Sequence, residues 1–462
     1  MNYSRKLRAI ILTGLLLTSF ILHIYRISIP SEPVFDEVHF ATYAADYLNQ
    51  QAFFDIHPPL GKLLFAGVLA FFPRGRIENA KFISFSRLEN GGISSKALND
   101  GYRDFPYIAL RLFSSFVGIA LILAFYLFLK AIGIGETGSL LGAFALTFEN
   151  SFLLDSRLIL INGMYLTFGF LALWLFFNQK HNAYLAGVIW GLSLSVKLIG
   201  IVFLAPAIVG MLLTRKIDNE SGPRRLKMFI IAGFLTLFTI IFAGYIANGI
   251  LFSPSGYISM LYSNGFITLK FQEFFTQISK ISTFAQFVFL IFIQGILSFG
   301  GYTINDADIF YFSHWYSWPF MKGIMAFYNN NTYEVTLTGN PVVWFSATLA
   351  IICALIITGR ISWRFFRRGK TPSTSAKPML ILLAGYGGAL LPFAAIVSRS
   401  TFLYHYFPAY LFGIGILSFA MELLTRQPWF VSSLTRRVIL IGFLALAIIG
   451  GFVFNSRFIY GI

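Results

Sequence analysis

The chain has 462 residues, 57% of them hydrophobic and 12% charged, with a mean hydropathy of +0.72. Soluble chains carry about a quarter charged residues, so a water-soluble globule is excluded and the bilayer sets the architecture. The net charge of +16 sits in short loops between apolar runs, which is the positive-inside pattern and not the footprint of a nucleic-acid binder.

The first apolar run, 8–27, follows Arg5, Lys6 and Arg8. It is long for a signal-peptide core and no small-residue cleavage motif follows, so it reads as a retained anchor. Further spans are predicted at 108–130, 137–155, 158–178, 183–197, 198–214, 228–250, 342–359, 378–397, 402–421 and 438–455. Residues 183–214 fit either one kinked element or two tight passes. The basic residues after 214, those from Arg360 to Lys370, and Arg426, Arg436 and Arg437 belong with the N-terminus on the cytoplasmic side. Eleven spans satisfy that alternation. A twelfth crossing at 283–299 would invert the 360–370 loop, so that apolar stretch is expected to be interfacial or re-entrant. The fold class is thus an all-α polytopic membrane protein. It has a first outer loop at 28–107, a second at 251–341 and C-terminal transmembrane helices over 342–462. The single cysteine, Cys353, lies in an apolar run and has no intrachain disulfide partner.

Chemistry concentrates just after the first span, at Phe35-Asp36-Glu37-Val38-His39-Phe40. Asp36 is placed to N-cap a helix over 37–49. One carboxylate of the pair can take a proton from a hydroxyl while the other orients the acceptor, and the helix dipole should keep Asp36 ionised. The bland alternative is a pair of capping acids at the bilayer interface. Next comes Asp55-Ile56-His57-Pro58-Pro59-Leu60-Gly61-Lys62. The prolines hold His57 in extended geometry, and Lys62 at a helix start could meet a phosphate. His39, His57, Asp36, Glu37 and Asp55 also compose a metal set on paper, without a recognised ligand spacing. Arg111, Arg157, Lys197 and Arg399 fall at outer ends of spans, with His405 nearby. Charges there are costly and mark functional sites by default, against a snorkelling alternative that suits Arg399 best and Lys197 least. His23 and His181 read as incidental. The 313–320 stretch carries His314, Trp315 and Trp318 and fits sugar stacking or headgroup anchoring equally well.

FDEVHFATYAADYLNQQAFFDIHPPLGKLLFA resembles the start of the protein O-mannosyltransferases, membrane glycosyltransferases of the GT-C class. FENSFLLDSRLILIN at 148–162, GLSLSVKLIG at 191–200, SHWYSWPF at 313–320, GNPVVW at 339–344 and TFLYHYFPAYLF at 401–412 follow in the family's order. The resemblance implies one GT-C membrane domain over 1–462 with amphipathic helices in the first outer loop. It implies inverting transfer of mannose from polyprenyl-phosphate mannose to Ser or Thr hydroxyls of exported proteins, with dimerisation an option. Asp36 becomes the base and Glu37 its orienting partner. Arg111, Arg157, Lys197 and His405 become donor-phosphate residues. His39, Asp55, His57, Lys62, His314, Trp315, Trp318, Arg399 and Tyr404 become candidates for the donor or acceptor pocket. No metal or cofactor is implied.

Two departures stand out. The 251–341 loop is too short for the β-trefoil domain of eukaryotic members, as in a compact bacterial-type enzyme of the plasma membrane; a eukaryotic one would sit in the endoplasmic reticulum. Glu149 and Asn162 stand where the family usually has aspartates, and Asp155 where it usually has glutamine. The rival within the same fold moves another lipid-linked sugar, such as aminoarabinose, to lipid A. A transporter or flippase is the rival of another class, and the chain lacks the related halves expected of one.

Overall fold

The computed structural model describes residues 5–53, 55–78, 80–87, 93–97, 101–178, 182–213, 222–249, 284–288, 291–292, 313–330, 332–368, 376–395 and 401–460. Most of the predicted interfacial stretch 283–299, and Arg399 and His181, lie outside the described residues.

Helix α1 (Arg5–Ile24) leads into the first outer loop, which carries α2 (Glu37–Asn49), α3 (Leu60–Leu69) and an antiparallel hairpin, β1 (Ile83–Arg87) with β2 (Ile93–Ala97). The membrane core continues with α4 (Tyr107–Ala131), α5 (Glu136–Thr147), α6 (Asn150–Arg157), α7 (Asn162–Phe177) and α8 (Ala183–Val196). A 3-10 turn (Leu198–Phe203), α9 (Leu204–Leu213) and α10 (Gly222–Gly244) follow. Beyond α10, a 3-10 turn (Trp315–Phe320) precedes a second hairpin, β3 (Met325–Asn329) with β4 (Glu334–Leu337). Four long helices close the described chain: α11 (Pro341–Arg368), α12 (Lys377–Ala395), α13 (Phe407–Thr425) and α14 (Leu434–Tyr460), with a single helical turn (Pro428–Val431) before the last.

Among the described residues seven helices are long and apolar enough to cross a bilayer, or eight if α6 and α7, bent by 114°, count as one span. The windows at 137–155, 158–178, 183–197 and 198–214 correspond to shorter pieces. Each break falls where polar side chains demand partners. At the α5–α6 break Glu149, wholly buried, N-caps α6 through Ser151 and accepts from Asn340 N at 3.0 Å and the Tyr410 hydroxyl at 2.8 Å. Asn340 in turn donates to the carbonyls of Phe148 and Ile448, and Asn150 to that of Phe452. In hydrocarbon such groups are satisfied by protein or not at all. At 183–214 the chain breaks at Lys197, which is extended (φ −152, ψ 127) between α8 and the 3-10 turn. His23 is not incidental, since its buried ring bonds Ser156 Oγ at 2.9 Å and joins α1 to α6.

Helices α8 and α10 meet backbone to backbone. A Cβ on Gly187 would lie 2.3 Å from the Phe229 carbonyl oxygen, and one on Gly191 2.4 Å from that of Gly233. Small residues four apart allow this approach in lipid, where close packing replaces the hydrophobic effect as the driving force. Trp190, between them in sequence, stacks on Phe229 with ring centroids 4.9 Å apart. Gly191→Leu should force these helices apart and destabilise the protein by about 1–3 kcal/mol, read as a lower Tm in detergent. An unchanged Tm would mean that this contact is not part of the stable core.

Candidate active site

The site begins with an ion pair that fixes the outer loop to the membrane core. Glu37 is wholly buried, and Arg111 of α4 meets it through Nε–Oε1 at 2.9 Å and Nη2–Oε2 at 2.7 Å. The carboxylate also accepts from Ile159 N and Val34 N, both at 2.8 Å, and from the Tyr102 hydroxyl at 3.2 Å. Arg111 spends its remaining N–H groups on the carbonyls of Ile27, Pro30 and Glu32. Its five donors are thus all taken. Neither side chain lines the cleft described below: Arg111, expected on the donor phosphate, and Glu37, expected to orient acceptor or base, form an internal clamp. A buried pair of this kind is stable only when every lone pair and proton is matched, as here.

The clamp sets the backbone from which Asp36 projects. Asp36 occupies the N-cap position of α2, but its side chain caps nothing. It lines an open cleft of about 850 Å³ together with His57, Asn162, Lys197, Tyr404 and His405. Phe35, one residue earlier, has φ +52, a left-handed conformation uncommon for a bulky residue. It is held there by its N–H on the Phe327 carbonyl at 3.2 Å, by stacking on Phe327 at 4.4 Å and by the Tyr404 ring at 5.8 Å. The β3–β4 hairpin therefore aims Asp36. Burial pushes the Asp36 carboxyl above the usual carboxylate range, with Asp55 adding to the rise and His39 and Lys197 opposing it. No hydrogen bond between its side chain and the helix N-terminus offsets that desolvation.

Lys197 is the one lysine or arginine among the described residues lining the cleft. Its ammonium lies 3.0 Å from Asn162 Oδ1 and over the Tyr404 ring at 5.3 Å. His405 stacks on Tyr404 at 4.3 Å, its Nδ1 engaged with the Phe402 backbone. His57 reaches the cleft because Lys62 ties its loop down, donating to Asp55 Oδ2 at 2.5 Å and the His57 carbonyl at 2.6 Å. Burial alone would raise Asp55, but the Lys62 ammonium, His57 and the hydrogen bond from Lys62 hold it below its ordinary value. Lys62 and Asp55 are thus a buried support and not pocket groups.

Five further residues lie elsewhere than in the cleft wall. Arg157 donates to the carbonyls of Leu22 and His23 and lies 4.5 Å from the Tyr460 ring, closing the end of α1 away from the cleft. Trp318 is wholly buried behind His405 and donates to Ser313 Oγ, so it cannot stack on a sugar. His314 is exposed and stacked on Tyr316, and Trp315 turns edge-on to the same ring. His39, at 6.0 Å from the Tyr43 ring, does not line the cleft. Among the described residues no three metal-ligating side chains converge. Asn162 and Phe35 were not singled out as site residues from sequence. Asn162 carried one signal, a polar residue at the start of an apolar helix.

From the cleft an apolar groove of about 710 Å³ runs between α8, α10 and α12, lined by residues such as Val202, Phe234, Leu237 and Pro392. Leu198, Ile199 and Phe393 belong to both walls, so groove and cleft adjoin.

Residues 13–253 match the family described as dolichyl-phosphate-mannose-protein mannosyltransferase, and residues 304–462 match the C-terminal four-transmembrane region of protein-O-mannosyltransferase. The chain belongs to this family. It is 31% identical over 205 residues to dolichyl-phosphate-mannose--protein mannosyltransferase 1 of Candida albicans, covering 42% of this chain and 22% of that one. It is 32% identical over 247 residues to protein O-mannosyltransferase 1 of Drosophila pseudoobscura pseudoobscura, covering 50% and 25%. The chain thus spans about a quarter of the length of these relatives. Its fold is that of the Saccharomyces cerevisiae protein O-mannosyltransferase Pmt1-Pmt2 complex, solved with its sugar donor: TM-score 0.76, 17% identity, 100% of this chain and 91% of that one. An Archaeoglobus fulgidus oligosaccharyltransferase is a more distant match, with TM-score 0.55, 13% identity and coverage of 99% and 57%.

Arg111→Met would strand the Glu37 charge in the interior and should cost about 3–5 kcal/mol, seen as loss of folded protein on size-exclusion chromatography. Adding Glu37→Gln to it should recover part of that loss. If the double variant were no more stable than the single one, the clamp reading would fail.

Proposed function

We propose that the cleft transfers mannose from a polyprenyl-phosphate mannose donor to Ser or Thr hydroxyls of proteins at the outer face of the membrane, inverting the anomeric centre. The observation that carries this reading is the pairing of a partly exposed carboxylate, Asp36, with a lysine, Lys197, in one cleft that shares a wall with an apolar groove. The groove suits a prenyl chain and the polar end suits a sugar phosphate. Asp36 takes the hydroxyl proton as the acceptor oxygen attacks the anomeric carbon. The bond from that carbon to the phosphate oxygen breaks, and polyprenyl phosphate departs with the electron pair. Lys197, with His57 and His405, faces the charge that gathers on the phosphate. Because phosphate leaves readily, a base, an oriented acceptor and a fixed cation supply what the reaction needs. The reading treats the chain as one GT-C domain in which the first segment, 28–107, meets the β3–β4 hairpin beside the site. Its bilayer is the plasma membrane, with the N-terminus cytoplasmic.

Membranes containing the protein should label a Ser/Thr-rich peptide from radiolabelled polyprenyl-phosphate mannose. Asp36→Asn should lower that rate by about 10²–10⁴-fold while leaving Tm equal or higher, since it removes a desolvated charge. Labelling of a lipid instead of the peptide would favour a lipid-acceptor transferase and sink the protein-acceptor reading.

The rate should also depend on pH through Asp36. Only its deprotonated form accepts the proton, and burial raises its pKa, so the acid limb should lie above the ordinary carboxylate value of about 4. Lys197 opposes that rise. In Lys197→Met the limb should therefore move to still higher pH. A limb that stays put would remove Lys197 from the field at Asp36.

A further inference from the structure

Lys197 is held from behind. Its Nζ donates to Asn162 Oδ1 at 3.0 Å, and Asn162 Nδ2 donates to Asp155 Oδ1 at 2.8 Å. Only one orientation of the amide satisfies both contacts, because an ammonium only donates and a carboxylate only accepts. Asp155 is 2% exposed, lies outside the cleft wall and also receives the Gly163 N–H. The three side chains come from separate elements. Asp155 is on α6, Asn162 opens α7 across the 114° bend, and Lys197 is the extended residue after α8. A lysine has a flexible four-carbon stem and three rotatable donors, so its charge has no fixed place unless something fixes it.

We propose that Asp155 is a positioning residue for Lys197: it orients the Asn162 amide so that Oδ1 anchors the ammonium in the cleft, where it meets the donor's phosphate. The inference rests on the donor reading above. Without the carboxylate, Asn162 loses the acceptor that fixes its amide. A flipped amide presents N–H groups to the ammonium, donor against donor.

The test uses the full chain in nanodiscs, with dolichyl phosphate binding as the first readout and mannosyl transfer as the second. Asp155→Leu, which unlike an Asn leaves no oxygen for Asn162 Nδ2, should weaken dolichyl phosphate binding about tenfold, as expected for a hydrogen bond to a charged group. In a Lys197→Met background the same change should cost nothing further, since its target is gone. The exchange pair Asp155→Asn with Asn162→Asp puts the carboxylate directly on Lys197 and should recover binding. A merely structural Asp155 would give equal losses in both backgrounds and no recovery by the exchange pair. Either result overturns the proposal, as does wild-type binding in Asp155→Leu. Wild-type protein that binds dolichyl phosphate but does not mannosylate the peptide would sink the function reading and leave the positioning role standing. Wild-type protein that does not bind dolichyl phosphate would overturn both.

Discussion

The site depends on one buried ion pair. Glu37 and Arg111 are both sealed from solvent, a costly state unless each proton and lone pair is matched. Matching them draws in four places at once: the turn before α2, the end of the first membrane helix, α4, and the bend between α6 and α7. Each Glu37 oxygen is shared between Arg111 and a backbone N–H, so the loop can neither slide nor rotate without exposing an orphaned donor. The next residue back, Asp36, inherits that fixity while keeping its own carboxyl unbonded to the helix. Adjacent acids thus do opposite work, one saturated and rigid, the other desolvated and reactive. Which is which depends on the side of the α2 N-terminus that each faces.

A second layer supports the cleft from outside the membrane. Phe35 is held in a left-handed conformation between Phe327 and Tyr404, so the second outer segment bears directly on the first. Trp318 and the His405–Tyr404 stack form the floor of that contact. Aromatic content that reads in sequence as surface for a sugar is spent mostly on holding the walls.

The membrane class was legible in the sequence, because hydropathy is a local signal. The helix over 37–49 has the expected bounds, although the Asp36 side chain does not cap it. What could not be read was the direction in which each charged side chain points. Arg111, Arg157 and Lys62 all occur where a phosphate ligand would stand, yet each is consumed by carbonyls or a carboxylate brought from elsewhere in the chain. Only the fold assigns such donors. The broken helices were hidden for a related reason: hydropathy averages over Glu149, Asp155 and Lys197, whose partners are decided by tertiary contacts.

The polar seam around the α5–α6 break has a consequence for biogenesis. Helix α6 is eight residues long and contains Asp155 and Arg157, so it cannot enter lipid as an independent unit. Its neighbours Glu149 and Asn150 find their partners in Asn340, Tyr410 and Phe452. Arg157 and the end of α1 are covered by Tyr460. Those partners are synthesised long after the groups they satisfy. The N-terminal half must therefore wait beside the translocon, or in a shielded state, until the late helices arrive to close the bundle. Membrane insertion and tertiary folding in this protein are one event and not two successive stages.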